Sequence, residues 1–134
     1  IYGRPATRFV ADFIGSPAMN FIEAQPRGAG VAAAGTVLET TAAQDEALRA
    51  TGAERVLYGV RPEALALGDR GLPGRIRMVE PTGPDTYALV DTAVGRLTAR
   101  VPGTLAAQPG DTVCLAWSPG QSHLFDAATE RRIG

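Results

Sequence analysis

The sequence predicts a mainly β protein, a small antiparallel barrel preceded by one short α-helix. Three observations support this fold class. Apolar and polar residues alternate with a period of two through much of the second half of the 134-residue chain, as in half-buried strands. Glycine and proline contribute 16 and 10 residues, which favours many short strands and turns. A helical apolar spacing is clearest in one short segment near the start.

The helix is predicted over residues 6–14. Pro5 lies near its first turn and Gly15 follows its end, the usual places of these residue types at helix termini. Its apolar residues share one face: Phe9, Val10, Phe13 and Ile14. Ser16 and Pro17 then break the helix. This apolar face is therefore expected to be buried against another surface.

Short strands are predicted between the helix and residue 61. The candidates are residues 19–24, a hairpin of Val31–Ala33 with residues 35–39, and residues 55–60. Pro62 ends the last of these, because proline cannot donate to a sheet. Residues 42–50 fit either a short polar helix or an irregular edge.

Four half-buried strands follow, each with period-two alternation and each separated from the next by a turn. In the first of them, Ile76 and Met78 alternate with arginines and are predicted to share a face. In the second, Tyr87 is predicted to face the core. Residues 124–125 and 132–133 would close the barrel.

Composition excludes several kinds of chemistry. All 13 basic side chains are arginine, so a phosphate-binding loop with its lysine and a Schiff-base lysine are both absent from this chain. The net charge of −1, with interspersed signs, disfavours nucleic acid as a partner. The single histidine, His123, and the single cysteine, Cys114, are interpreted as structural residues. We therefore predict no catalytic residue, no metal and no cofactor in this chain.

Arginines on the predicted strands have two interpretations. Four of them alternate with apolar residues: Arg75, Arg77, Arg96 and Arg100. If they converge on one barrel face, their guanidinium groups suit an oxyanion or a phosphorylated small molecule. The alternative is that they form the solvated polar side of half-buried strands.

Four segments of the sequence occur in an order that is typical of one module. They are FVADFIGSPAMNF (residues 9–21), GVRPE (59–63), EPTG (80–83) and HLFD (123–126). Together they resemble the C-terminal regulatory domain of the ATP-binding subunit of carbohydrate-importing ABC transporters, of the maltose and sn-glycerol-3-phosphate type. The resemblance covers the whole chain and implies an OB-like barrel, called the transport-associated OB domain.

The resemblance implies a domain organisation and a function. Residues 1–15 are expected to be the last helix of a nucleotide-binding domain, and residues 16–134 an OB-like regulatory and dimerisation domain. This domain would couple and restrain the opening of the ATPase dimer, with no chemistry of its own. An oxyanion-sensing barrel, as in related molybdate importers, is the alternative. Because the sequence opens with Ile1, we interpret it as a piece of a longer chain whose other part binds ATP and Mg²⁺.

The resemblance also implies partners and contact residues. The expected partners are a second copy, the nucleotide-binding domain, permease subunits and a signalling protein or small-molecule regulator, at the cytoplasmic face of the inner membrane. The expected hinge and interface residues are Gly15, Ser16, Pro17, Asn20, Arg61 and Glu63. The helix residues Phe9, Val10, Phe13 and Ile14 would contact the nucleotide-binding domain. The alternative for Arg61 and Glu63 is an ordinary strand end with a paired charge.

Overall fold

A computed structural model describes residues 19–134. The predicted helix of residues 6–14 lies outside the described residues, as do Gly15, Ser16 and Pro17 of the predicted hinge. The described part is mainly β and antiparallel, which confirms the predicted fold class. The prediction that residues 124–125 and 132–133 close a barrel is wrong, because the strands form two sheets, residues 124–125 pair with residues 57–58, and Arg132 makes only an isolated bridge to Phe125.

The strands, in chain order, are β1 (Asn20–Pro26), β2 (Val31–Ala33), β3 (Thr36–Leu38), β4 (Val56–Val60), β5 (Ala66–Gly68), β6 (Leu72–Pro81), β7 (Asp85–Thr92), β8 (Gly95–Pro102), β9 (Thr112–Ala116) and β10 (Ser122–Asp126). Helix α1 (Ala42–Thr51) lies between β3 and β4. Short 3₁₀ turns span Pro62–Ala64 and Pro119–Gln121. Except for β5 and the turn Pro119–Gln121, these elements correspond to segments that the sequence pattern had indicated.

The described part of the chain divides into two compact units, one containing residues 19–60 together with residues 118–134, the other residues 61–117. The first unit holds a five-stranded sheet of order β10-β4-β1-β2-β3, and the second a five-stranded sheet of order β5-β9-β6-β7-β8. In the first sheet, β4 lies between β1 and β10. In the second sheet, β6 lies between β7 and β9.

In the first unit, β4 is the most deeply buried strand, since every one of its five residues is buried. Tyr58 is fully buried and donates its hydroxyl to the carbonyl of Glu39 over 2.9 Å, so the polar atom has a partner. Phe125 on β10 is also fully buried, and the ring of Phe21 meets it edge-on at 5.7 Å. This aromatic contact joins β1 and β10 across β4.

Helix α1 is fixed at both ends by local hydrogen bonds. The Thr41 hydroxyl accepts from the Gln44 backbone over 3.1 Å, and the Gln44 side chain accepts from the Thr41 backbone over 2.9 Å, a complete capping box. Gly52 ends the helix in the left-handed conformation, with φ of 67°. Buried Gln44 also donates to the carbonyl of Ser122 over 3.1 Å, which ties the helix to β10. Of the two structures predicted for residues 42–50, a short polar helix or an irregular edge, the structure shows the helix.

In the second unit, β7 directs its small residues inward. Thr86, Ala88 and Val90 are buried, whereas Tyr87 and Leu89 on the other face are only half-buried. The prediction that Tyr87 faces the core is wrong. The alternation was correct, but it does not say which phase is inward, and the interior opposite β7 is filled by other apolar side chains such as Ile76 and Leu97.

A β-bulge interrupts the pairing of β6 with β7. Ile76 lies opposite Val90, but the next register pair is Met78 with Leu89, so Arg77 is an extra residue on β6. Arg77 and Met78 are consequently both exposed, with Met78 48% exposed. The prediction that Met78 shares a face with Ile76 is wrong, because the inserted residue reverses the phase of the strand.

Candidate functional site

The solvent-facing side of β6, β7 and β8, here called the β6–β8 face, carries the four arginines predicted to contact an anion. It consists of Arg75, Arg77, Met78, Glu80, Asp85, Tyr87, Leu89, Asp91, Arg96, Thr98 and Arg100. Directly opposed residues of neighbouring antiparallel strands lie on the same side of a sheet, so the register defines which side chains meet.

The first group on this face, the basic cluster, is Arg75, Arg77 and Arg96 around Asp91. Arg96 Nε donates to Asp91 Oδ1 over 3.0 Å, and Arg77 Nη1 lies 3.6 Å from Asp91 Oδ2. Arg75 is the register partner of Asp91 on β6. The hydrogen bond from Arg96, assisted by the charges of Arg96 and Arg77, holds the pKa of Asp91 below its ordinary value. Three guanidinium groups and one carboxylate give this cluster a net charge of about +2.

The second group, the acidic cluster, is Glu63, Glu80 and Asp85 with Arg100. Arg100 Nε lies 3.7 Å from Asp85 Oδ2, and its Nη2 lies 4.0 Å from Glu63 Oε1. A hydrogen bond with Tyr87, then the charge of Glu63, raises the pKa of Arg100. Glu80 lies opposite Tyr87 on β6. Three carboxylates and one guanidinium give this cluster a net charge of about −2.

The structure brings together three of the four arginines predicted to contact an anion. Arg75, Arg77 and Arg96 share the basic cluster, while Arg100 lies on β8 four residues beyond Arg96, about 13 Å along the strand at ~3.3 Å per residue. The carboxylate of Asp91 lies next to the guanidinium groups of Arg77 and Arg96, and Arg75 is its register partner on β6. An oxyanion at this position would compete with a carboxylate of the protein itself.

The predicted interface residues have well-defined local roles. Asn20 is buried at the start of β1, and its Nδ2 donates to the carbonyl of Val60 over 3.2 Å. The carbonyl of Arg61 accepts from the amide of Ala64 over 3.0 Å and so opens the 3₁₀ turn. Glu63 is exposed on that turn and belongs to the acidic cluster. Glu63 therefore has a charged neighbour, Arg100, as the alternative interpretation of a paired charge at a strand end requires.

Sequence reasoning missed the carboxylates and the apolar centre of the β6–β8 face. Asp91 was not selected, although a two-residue turn joins β7 to β8 and sets its register opposite Arg96. Placing that turn in the sequence would have predicted that Asp91 and Arg96 lie opposite each other. Met78 and Leu89, in the middle of the face, became neighbours only through the bulge, which the alternation pattern does not reveal.

Two open cavities lie in the first unit. One, of about 480 Å³, is lined by β1 and β2 and contains the ion pair of Arg55 with Glu23, 2.6 Å long. The other, of about 450 Å³, is bordered by α1, His123 and Arg132. In it, Arg132 Nη2 and His123 Nδ1 form a hydrogen bond of 2.7 Å, in agreement with a structural role for this histidine.

Within residues 19–134, no group of three or more His, Cys, Asp or Glu side chains is placed to hold a metal ion. Cys114 is half-buried on β9, opposite Pro73 of β6. No helix in the described part of the chain has the length and apolar character needed to cross a membrane.

Comparison with known proteins identifies both parts of the sequence. The MalK OB fold domain matches residues 15–65, and the TOBE domain matches residues 58–125. Among solved structures, the cytoplasmic molybdate-binding protein ModG resembles this chain with a TM-score of 0.63 at 15% identity, over 78% of this chain and 94% of that protein. At this identity the likeness shows a shared fold.

Relatives with assigned names are ATP-binding proteins of transporters. An ABC transporter ATP-binding protein, y4oS, of Sinorhizobium fredii is 39% identical over 99% of this chain and 36% of its own length. The sn-glycerol-3-phosphate import ATP-binding protein UgpC of Cereibacter sphaeroides is 39% identical over 99% of this chain and 37% of its own length. The multiple sugar-binding transport ATP-binding protein MsmK of Streptococcus mutans is 31% identical over 99% and 38%.

The chain therefore spans little more than a third of the length of these relatives, 36–38%. The family resemblance predicted from the four sequence segments is confirmed, since the two family matches cover the same stretch of chain in the same order. The chain belongs to the TOBE domain family, with a MalK OB fold domain ahead of the TOBE match, and is related to the ATP-binding proteins of ABC transporters for sugars and glycerol-3-phosphate.

Proposed function

We propose that this chain is the regulatory and dimerisation domain of the ATP-hydrolysing subunit of an ABC importer for sugars or glycerol-3-phosphate. The observation that carries the proposal is the similarity to UgpC and MsmK over 99% of the chain. The chain has no lysine and so no phosphate-binding loop of its own. ATP and Mg²⁺ would therefore be bound by the part of the parent subunit that this sequence does not contain.

On this proposal the domain acts through its contacts with the other parts of the transporter and carries out no chemical step itself. It restrains the opening of the ATPase dimer and couples that opening to transport, at the inner face of the cell membrane. The helix stripe of Phe9, Val10, Phe13 and Ile14 packs on the nucleotide-binding domain, and Gly15, Ser16 and Pro17 form the hinge. Permease subunits are reached through the parent, and a signalling protein or small molecule is a further partner.

The structural support is that both units have well-paired sheets and firmly anchored polar residues. Asn20, three positions after Pro17 of the proposed hinge, is buried and donates to the carbonyl of Val60. A rigid attachment of this kind would transmit a displacement of the hinge to β1 and β4. Arg61 and Glu63 lie where the chain passes into the second unit, a position suited to an interdomain contact.

A chimera tests the proposal. In UgpC of Cereibacter sphaeroides, the segment that matches this chain is replaced by this chain, and glycerol-3-phosphate uptake and ATP hydrolysis are measured in cells lacking their own UgpC. We expect the chimera to support uptake, and a subunit with the segment deleted to hydrolyse ATP without supporting uptake. The ratio of uptake to hydrolysis is the quantity that reports coupling.

The control is a chimera in which the replaced segment cannot fold. Gly74→Val serves, because even a Cβ at this position would lie 2.5 Å from a methyl group of Val90 and 2.9 Å from the backbone oxygen of Asp91. It should behave as the deletion does. A stably expressed, folded chimera whose uptake and coupling equal those of the deletion would refute the proposed function.

A further inference from the structure

The charges on the β6–β8 face are separated along the strands. The basic cluster lies at the end of β7 marked by Asp91, and the acidic cluster at the end marked by Asp85. These two residues are six positions apart, about 20 Å at ~3.3 Å per residue. The net charges of the clusters are equal in size and opposite in sign, so the face as a whole is neutral but polarised.

A row of two apolar side chains and one threonine, here called the apolar row, separates the two clusters. Met78, Leu89 and Thr98 are register partners on β6, β7 and β8. Met78 is 48% exposed; in the described part of the chain, Val37 is the other large apolar side chain with comparable exposure, at 56%. A polar surface with an exposed apolar side chain at its middle has the arrangement of a small interface, with an apolar centre and a charged rim.

A two-fold axis that lies in the plane between two such faces and runs across the strands, parallel to the row of Met78, Leu89 and Thr98, has a particular effect on this pattern. It superimposes the apolar row of one copy on that of another, and it places the basic cluster of each copy against the acidic cluster of the other. A two-fold interface uses the same patch on both partners, so the patch must be complementary to itself. The β6–β8 face meets that condition through its charge.

We propose that a second copy of this chain docks on the β6–β8 face about such an axis. The inference rests on the dimerisation role proposed above and specifies the surface that performs it. A sheet of three strands ~4.8 Å apart and ~20 Å long offers a patch far smaller than the ~800 Å² per partner of a standard interface. Self-association of the isolated chain is therefore weak and sensitive to salt, and contacts elsewhere in the parent subunit add to it.

The same charges argue against other occupants. A polyanion such as a nucleic acid or an anionic lipid surface would be attracted to the basic cluster but repelled by Glu63, Glu80 and Asp85. A free anion would have to displace Asp91 from Arg96. A partner with the opposite polarity is attracted at both ends, and this chain carries that polarity itself.

Charge reversal tests the proposal by sedimentation velocity of the 134-residue chain, from about 10 μM to about 1 mM, in ~50 mM and ~500 mM salt. The first variant carries Arg75→Glu and Arg77→Glu, and the second Glu63→Arg and Glu80→Arg. Each variant makes both ends of the face alike in sign. We expect the dimer dissociation constant of each to rise at least about tenfold, and the high-salt buffer to weaken the parent dimer.

Two combinations distinguish docking on this face from general charge effects. A 1:1 mixture of the variants restores attraction at both ends and should form a heterodimer. The chain carrying all four substitutions keeps the net charge of the parent and should form a homodimer again. Met78→Asp should weaken association, whereas Val37→Asp, on the exposed side of β3 in the other unit, should leave it unchanged.

A chain that is monomeric throughout this range refutes the proposal, as does a dimer that neither reversal weakens. The proposed function is tested separately by the chimera. If the reversals leave the dimer intact while the chimera supports coupled uptake, the domain functions as proposed and its partner binds on another surface. If the chimera fails while the reversals behave as expected, the docking surface stands without the transport role.

Discussion

Arg77 reaches Asp91 from a β-bulge, with 3.6 Å between Nη1 and Oδ2. In a regular ladder, Arg77 would share the outward face with Arg75, whereas Met78 would be directed inward with Ile76. The bulge leaves Arg77 exposed next to Asp91, where its guanidinium adds to the one that Arg96 supplies from β8, and it turns Met78 outward as well. The bulge therefore determines the exposure of Met78 beside the basic cluster.

Asp91→Asn should make the stability of the chain less sensitive to acid. The pKa of Asp91 is lower in the folded chain than its ordinary value, so the ionised carboxylate stabilises the fold at neutral pH, and this contribution disappears as pH falls through the folded pKa, below about pH 4. Urea unfolding should show the variant less stable than the parent at pH 7, with a difference that shrinks as the pH is lowered from about 4 to about 2. Asp69→Asn, at an exposed residue with no ion pair in the described part, is the control. An equal deficit at pH 7 and at about pH 2 would contradict the prediction.

Gly74→Ala should destabilise the second unit by about 1–3 kcal/mol, the usual cost of overpacking. A Cβ at this position would lie 2.5 Å from Val90 Cγ1 and 2.9 Å from the backbone oxygen of Asp91, and the backbone cannot yield easily. Gly120→Ala is the matched control, because a Cβ there would meet nothing within 4 Å. Denaturant unfolding of both variants measures the difference, and equal stabilities would show that β6 and β7 can separate at no cost.

Thr41→Ala should cost about 1 kcal/mol of unfolding free energy, because it removes the hydroxyl that caps α1. Thr41→Ser keeps the acceptor and should remain within about 0.5 kcal/mol of the parent. Thermal unfolding followed by circular dichroism gives both values. If the serine variant lost as much as the alanine variant, the methyl group of Thr41 and not its hydroxyl would be the stabilising part.

Titration with molybdate, phosphate and glycerol-3-phosphate should give no saturable binding at the basic cluster. The reason is that Asp91 already accepts from Arg96 and lies next to Arg77. Isothermal titration calorimetry of the parent chain measures this, and Asp91→Asn provides the comparison, since removal of the carboxylate charge should increase any anion affinity. Saturable binding to the parent that Arg96→Gln abolishes would favour an oxyanion sensor instead.

The sequence was sufficient to predict the elements but not the way in which they combine. Period-two alternation located β6 to β9, and the capping pattern around Thr41 agrees with the helix that the pattern left undecided. The orientation of β7 was missed because alternation is symmetric, and Tyr87 was assigned inward on its size. The bulge at Arg77 was missed because an extra residue leaves each half of β6 regular on its own.

Long-range pairing was also beyond the sequence pattern. β4 reads as a continuous apolar run, Val-Leu-Tyr-Gly-Val, which indicates burial on both faces but names no partners. Its neighbour β10 begins 62 positions after the end of β4, with Ser122 opposite Val60. The opposed charges of the candidate face depend equally on register, since Arg96 meets Asp91 only once the turn between their strands is placed.

The pairing of Val60 with Ser122 has a consequence for synthesis of the protein. Residues 61–117 form a unit of their own between these two positions, so the ribosome completes the second unit before it delivers the last strand of the first. Until β10 emerges, one side of β4 has an unpaired backbone, and such an edge is prone to pair with the wrong chain. The second unit can fold as soon as it is made, while the first must wait for β10.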